Sequence, residues 1–168
     1  MQISLDTFVQ LQDRPLTLRD RLLLPELNNE IRSLVRMKPV HVHVEISRTG
    51  SHQFRLQVRQ SAEATFVCSR CLEEFDLPIE LTWAETFTDL PVVDAEGVEV
   101  YPIGEALHLE PWVREAFLLQ IPFVPICRDT CRGLCPSCGI NRNKGICQCN
   151  TEHIDPRLAK LQEFKFDS

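Results

Sequence analysis

The sequence predicts an α+β fold: a small antiparallel β-sheet with flanking helices and a cysteine-rich, zinc-ribbon-like module. Three observations predict it. Apolar residues alternate with polar ones through 40–59 and again through 75–82, the period of half-buried strands. Apolar residues recur at helical spacing near 27–35, 109–120 and 158–164. Six of the eight cysteines crowd into residues 127–149. Three parts are expected: an α+β domain at 1–126 carrying a strand-end C-x-x-C knuckle, a cysteine-rich metal module at 127–150, and a C-terminal helix at 151–168.

The elements follow in order. Ile3-Ser4-Leu5 suits a short strand. Residues 15–39 mix helical and loop signals; within them Leu27, Ile31, Leu34 and Val35 fall on one helical face, and Pro39 stands just past its end. Arg32, Arg36 and Lys38 sit where cations suit the helix dipole. Val40, Val42, Val44 and Ile46 then alternate with His41, His43, Glu45 and Ser47. After a turn at Thr49-Gly50-Ser51, Phe54, Leu56 and Val58 alternate with Arg55, Gln57 and Arg59, so the two stretches read as an antiparallel hairpin. Its polar face carries His41, His43, Arg55 and Arg59, and the histidines read as exposed residues rather than ligands. That face is a candidate for phosphate contact.

Ala64–Val67 forms a third strand running into Cys68. Phe75, Leu77, Ile79 and Leu81 mark a fourth, with Pro78 assigning it to an edge or a bulge. Residues 84–100 read as an acidic, solvated loop, with a short strand resuming around Val98, Val100 and Ile103. A helix is expected from about Leu109 to Gln120, with Pro111 in its first turn and Pro122 and Pro125 beyond its end. Asp155-Pro156 is a helix start, followed by Leu158, Leu161 and Phe164 on one face.

The cysteines carry the chemistry. Cys68-x-x-Cys71 lies in the turn between the third and fourth strands. Downstream come Cys127, Cys131, the pair Cys135-Pro136-Ser137-Cys138 before Gly139, and Cys147-Gln148-Cys149. Two C-x-x-C turns direct sulfurs toward a common centre, as four-sulfur zinc sites require. Disulfides, an iron–sulfur cluster and a catalytic cysteine are the competing readings. Disulfides fit a secreted chain, but no basic segment followed by an apolar run opens this one. The ferredoxin spacings are missing. Eight sulfurs fill two structural zinc sites. The preferred partition joins Cys135, Cys138, Cys147 and Cys149 in one and Cys68, Cys71, Cys127 and Cys131 in the other. The alternative groups Cys127, Cys131, Cys135 and Cys138, leaving Cys147 and Cys149 spare or paired with Cys68 and Cys71.

Charge is unevenly spread around a net −6. Residues 1–72 hold 10 Lys+Arg against 7 Asp+Glu, and 73–126 hold 1 against 12. Residues 127–150 hold 4 against 1, a basic module in an acidic chain. Net acidity argues against indiscriminate nucleic-acid binding. Four thiolates around a zinc leave a local charge of about −2. Arg128, Arg132, Arg142 and Lys144 are suited to neutralise it, or else form a small contact surface. No stretch is apolar enough to span a membrane, so a cytoplasmic protein is expected.

Several strings together carry a resemblance: Glu115–Pro122, Pro125-Ile126-Cys127, Cys131-Arg132-Gly133-Leu134-Cys135-Pro136-Ser137-Cys138-Gly139, Asn141 to Asn143, Cys147-Gln148-Cys149 and Asp155–Leu161. The chain resembles the YceD family, the large ribosomal RNA subunit accumulation proteins, well over residues 60–165 and loosely before them. The resemblance implies a role in ribosome biogenesis, with large-subunit rRNA or its assembly proteins as partners. It supplies no catalytic residue, so a non-enzymatic factor with neither a small-molecule substrate nor a membrane partner is expected. The alternative is a zinc-ribbon nucleic-acid-binding regulator.

Overall fold

The computed structural model describes residues 1–11, 14–90, 100–149 and 157. In chain order its elements are β1 (Gln2–Ser4), α1 (Leu5–Val9), β2 (Leu16–Leu22), α2 (Leu27–Glu30), β3 (Leu34–Met37), β4 (Val40–Gly50), β5 (Gln53–Val67), β6 (Glu74–Thr88), β7 (Val100–Pro102), β8 (Ala106–His108) and α3 (Glu110–Gln120). The fold is mostly sheet, with few helices. The main sheet runs in the order β2-β4-β5-β6-β7, and β3 pairs with β5 where β4 leaves off. All its pairings are antiparallel except β6 with β7. A second, two-stranded sheet joins β1 to β8.

The expected hairpin is present and longer than its apolar alternation suggested. The second and third expected strands are one continuous strand, β5, paired with β6 from Gln53↔Thr88 to Val67↔Glu74. Ser61-Ala62-Glu63 looked like a break because small and charged residues interrupt the apolar run, yet the ladder passes through them. Pro78 lies opposite Glu63, on a stretch of β6 whose other side has no strand among the described residues. There its missing N–H costs no ladder bond.

Two expectations are corrected. The helical face of Leu27, Ile31, Leu34 and Val35 is not a helix: α2 is one short turn, Ile31 is already extended, and Leu34 enters β3 opposite Phe66. Asn28 and Asn29 are weak helix formers, and β5 offers the segment a ladder, so tertiary pairing overrides the periodicity. Residues Ala84–Thr88 belong to β6 rather than to an acidic loop. Glu85 sits opposite Leu56 and Thr86 opposite Arg55. Of the expected strand near 98–103, Val100–Pro102 is present. Residues 91–99 and the C-terminal helix, apart from Arg157, lie outside the described residues.

One face of the sheet is the core. Val40, Val42, Val44 and Ile46 of β4 and Phe54, Leu56 and Val58 of β5 are all buried on it. Helix α3 covers this face with Val113 and Phe117. Gln60, buried among them, donates to the Val113 carbonyl at 3.1 Å and accepts from the Trp83 indole at 3.2 Å. Both ends of its amide are therefore satisfied, as a buried polar group requires. Trp112 stacks on Trp83 and meets Phe87 and Tyr101 edge-on. Helix α1 adds Phe8, packed edge-to-face on Phe54 at 5.3 Å. The alternating side chains of β2, β4 and β5 project the other way, toward solvent.

Candidate metal centre

The end of β5 and the start of β6 are joined by a tight turn rather than a loop. In it the Leu72 N–H bonds the Cys68 carbonyl at 2.9 Å, and the Cys68 N–H bonds the Glu73 carbonyl at 2.8 Å. Leu72 takes a left-handed conformation, φ 59°. The turn at Cys135 repeats this pattern. The Gly139 N–H bonds the Cys135 carbonyl at 2.9 Å, and the Cys135 N–H bonds the Ile140 carbonyl at 2.9 Å. Gly139 has φ 74°. Each turn thus folds its C-x-x-C so that both sulfurs face the same side. At the left-handed position glycine is unstrained, whereas leucine there costs about 1–2 kcal/mol.

Two sulfur tetrads result. Cys68, Cys71, Cys127 and Cys131 form one, and Cys135, Cys138, Cys147 and Cys149 the other, with all sulfurs of a tetrad within 4.8 Å of one another. This is the preferred of the two partitions read from the sequence, and all eight expected cysteines are brought together in it. In the first, Cys68 Sγ lies 3.9 Å from Cys131 Sγ and Cys71 Sγ 3.8 Å from Cys127 Sγ. A disulfide needs about 2.05 Å, and none is formed. A tetrahedron with metal–sulfur bonds of about 2.3 Å has edges of about 3.8 Å. Among the described residues the module around the second tetrad has one isolated bridge, Leu134↔Asn141, and no strand. Among the described residues the structure holds two cysteine clusters on tight turns, the first at the end of the β5–β6 ladder and the second without the paired strands of a ribbon.

The sulfurs do not ionise equally. Burial works to raise the Cys68 thiol, but the N–H groups of Cys127, Cys71 and Arg70 outweigh it and hold the group down at about 6. Burial and the surrounding sulfurs push Cys127 up to about 12. In the second tetrad the N–H groups of Cys138 and Ser137 hold Cys135 down at about 6. The Cys138 sulfur, with burial, pushes Cys149 up to about 12. Each centre therefore holds a ready thiolate beside a thiol that resists ionisation. A cation placed among them removes that repulsion.

The family model described as large ribosomal RNA subunit accumulation protein YceD matches residues 56–165. The chain belongs to the YceD family. The match begins inside β5 and takes in both tetrads. An uncharacterised protein of Mycobacterium tuberculosis is 35% identical over 100 residues, covering 57% of this chain and 48% of the relative. The uncharacterised protein YlbN of Bacillus subtilis is 29% identical over 142 residues, covering 83% and 80%. The Arabidopsis thaliana protein named large ribosomal RNA subunit accumulation protein YCED homolog 1, chloroplastic, is 26% identical over 153 residues, covering 73% and 47%. The chain spans about half the length of the mycobacterial relatives it matches. No solved structure matches it.

The strings that carry the YceD resemblance acquire roles in this geometry. Cys131–Gly139 is the stretch that passes from the first tetrad to the second. Gly133, φ 68°, lies so close to the first knuckle that a Cβ there would stand 2.9 Å from the Arg70 carbonyl oxygen. Leu134 N–H bonds that same oxygen at 2.9 Å. Asn143 ties the tetrads together: its amide donates to Cys131 Sγ at 3.3 Å, and its Oδ1 accepts from the Arg132 N–H at 2.8 Å. The Arg70 guanidinium donates to the Asp129 and Cys131 carbonyls. Sequence reading did not assign these roles to Arg70, Gly133 and Asn143. Only the run Asn141 to Asn143 beside the cysteines hinted at one. Of the basic residues, Lys144 pairs with Glu73, and Arg132 and Arg142 line a hollow with Cys147 and Cys149.

Proposed function

We propose that this YceD-family chain is a non-enzymatic ribosome-assembly factor that supports accumulation of large-subunit rRNA, with two structural zinc ions. The observation that carries the reading is the family match across residues 56–165, together with the name of the plant relative. Zinc is supported by the four-sulfur donor sets and by the 3.8–3.9 Å sulfur–sulfur edges. An iron–sulfur cluster places several atoms between its cysteines and spreads them wider. Bound zinc would lock the β5–β6 turn to residues 127–131 and hold residues 135–149 in one loop. Four sulfurs close a tetrahedron and leave no position for substrate or water, which favours a structural over a catalytic role. The placement of Arg132 and Arg142 beside Cys147 and Cys149, with Lys144 already paired to Glu73, favours charge neutralisation over a nucleic-acid-binding ribbon.

The reading places the chain in the cytoplasm, working with large-subunit rRNA or the proteins that assemble on it. In a strain depleted of the chain, large-subunit rRNA should fall relative to small-subunit rRNA. Unchanged rRNA and a normal ribosome profile would overturn the assembly role. Purified protein should carry two zinc ions per chain by elemental analysis, and a coloured iron protein would overturn the metal assignment.

A further inference from the structure

The solvent face of the main sheet carries a cluster of positive charge that the metal centres do not explain. The register assembles it from three strands. Arg19 of β2, His43 of β4 and Arg59 of β5 lie side by side. Arg21 stands beside His41 on one flank, and Arg55 beside Ser47 on the other. Neighbouring strands are about 4.8 Å apart and alternate residues about 6.8 Å apart along a strand. The cluster therefore covers a patch roughly 10 Å by 20 Å. The outward positions of these strands hold four arginines and two histidines against two carboxylates, Glu45 and Glu63, of which Glu63 is paired with Lys38; Asp20 alternates to the opposite side of β2.

These cations are not engaged elsewhere. Arg19, Arg21, Arg55 and Arg59 are exposed and make no ion pair among the described residues. By contrast Lys38, Arg114 and Lys144 each hold a carboxylate. At the centre of the patch His43 Nε2 is buried with no hydrogen-bond partner. A buried ring nitrogen without a partner is costly, and an anionic oxygen would satisfy it on displacing the side chains that cover it. Arg19, Arg21, His41 and His43 also line a shallow hollow, together with Val42 and one carboxylate, Asp20. In a chain of net charge −6, this many cations on one face are a local departure that repulsion alone would not favour.

We propose that this face binds the phosphate backbone of structured RNA. Guanidinium groups match phosphate oxygens in a bidentate manner. The outward positions of the patch carry no Phe, Tyr or Trp, so guanidinium–phosphate pairing is its main contact, and contact of this kind positions RNA without reading its sequence. The proposal rests on the assembly-factor reading only for which RNA is bound in the cell.

The test uses the full chain and a fluorescently labelled RNA duplex, followed by anisotropy across a salt series. About four phosphate contacts predict a log–log salt slope of about −3 to −4. Arg55→Gln with Arg59→Gln should weaken binding on the order of tenfold to a hundredfold at about 100 mM salt and make the slope shallower by about two. Arg32→Gln, an exposed arginine off this face, should change neither quantity appreciably. Unchanged melting temperature checks that the variants fold. Equal affinity for the double variant and the parent would overturn the proposal. So would displacement of the RNA by polyglutamate as readily as by unlabelled RNA, which would point to an acidic protein instead. If duplex binding fails while depletion still lowers large-subunit rRNA, this face is wrong and the assembly role stands. If the face binds duplex but depletion leaves rRNA unchanged, the reverse holds.

Discussion

The two cysteine tetrads share one turn geometry and differ in what they connect. The first joins residues as far as 63 apart in sequence, fastening the β5–β6 turn to the segment after α3, and three of its four cysteines are buried. The second closes within residues 135–149 and has one buried cysteine, Cys135. Closing a long loop removes more chain entropy than closing a short one, although the cost grows only logarithmically. The larger difference is packing. Phe75 and Ile126 pack against the first centre, and Phe75 also contacts Phe66 of the core. Identical local geometry therefore need not mean equal weight. The first centre is expected to belong to the fold and the second to a surface module.

The strongest way to break this contrast is to remove one ligand from each. Cys68→Ser should release one zinc and destabilise the whole chain by several kcal/mol, since structural zinc binding is folding energy. Cys138→Ser should also release one zinc but leave the sheet's thermal transition nearly in place, with faster amide exchange confined to residues 133–149. Equal shifts in melting temperature would show that the two centres fold as one.

A smaller effect tests the link between them. Asn143→Ala removes the amide that donates to Cys131 Sγ and the oxygen that accepts from Arg132 N–H. The contact to Cys131 is partly buried and the one to Arg132 exposed, so their loss should cost about 1 kcal/mol. If the link is real, chelators should strip zinc faster from both centres of this variant; acceleration at the second alone would mean the tetrads are independent. The smallest effect concerns the left-handed residue of each turn. Leu72→Gly should be neutral or stabilising by up to about 1 kcal/mol, because it removes backbone strain at the cost of chain entropy. Gly139→Leu should destabilise by a similar amount. Thermal melts of the zinc-loaded proteins measure both.

The same contrast explains what was legible in the sequence. C-x-x-C spacing and the glycine after Cys138 declare the second turn, because local geometry needs only local residues. The first turn lacks that glycine, and its partners Cys127 and Cys131 lie on another segment, so their grouping was a choice between two partitions. The β4–β5 hairpin and α3 were readable from their periods. β3 was not, because Leu27, Ile31, Leu34 and Val35 fit a helix and only pairing with β5 decides otherwise. β2 was hidden by the charged run Arg19-Asp20-Arg21. That is the run that completes the cationic face, so the half of the patch on β5 was legible and the half on β2 was not.

The long reach of the first centre has a consequence for biosynthesis. Chains emerge at about 5–20 residues per second, so the 63 residues from Cys68 to Cys131 take roughly 3–13 s to appear. Once β6 ends at Thr88, 43 residues before Cys131, the β5–β6 hairpin is complete while its knuckle presents only half a ligand set. A nascent chain at this stage is open to capture of the wrong metal or to oxidation of the Cys68–Cys71 pair. Only when Cys131 arrives does the site close, and from then on the order of synthesis is sealed into the fold.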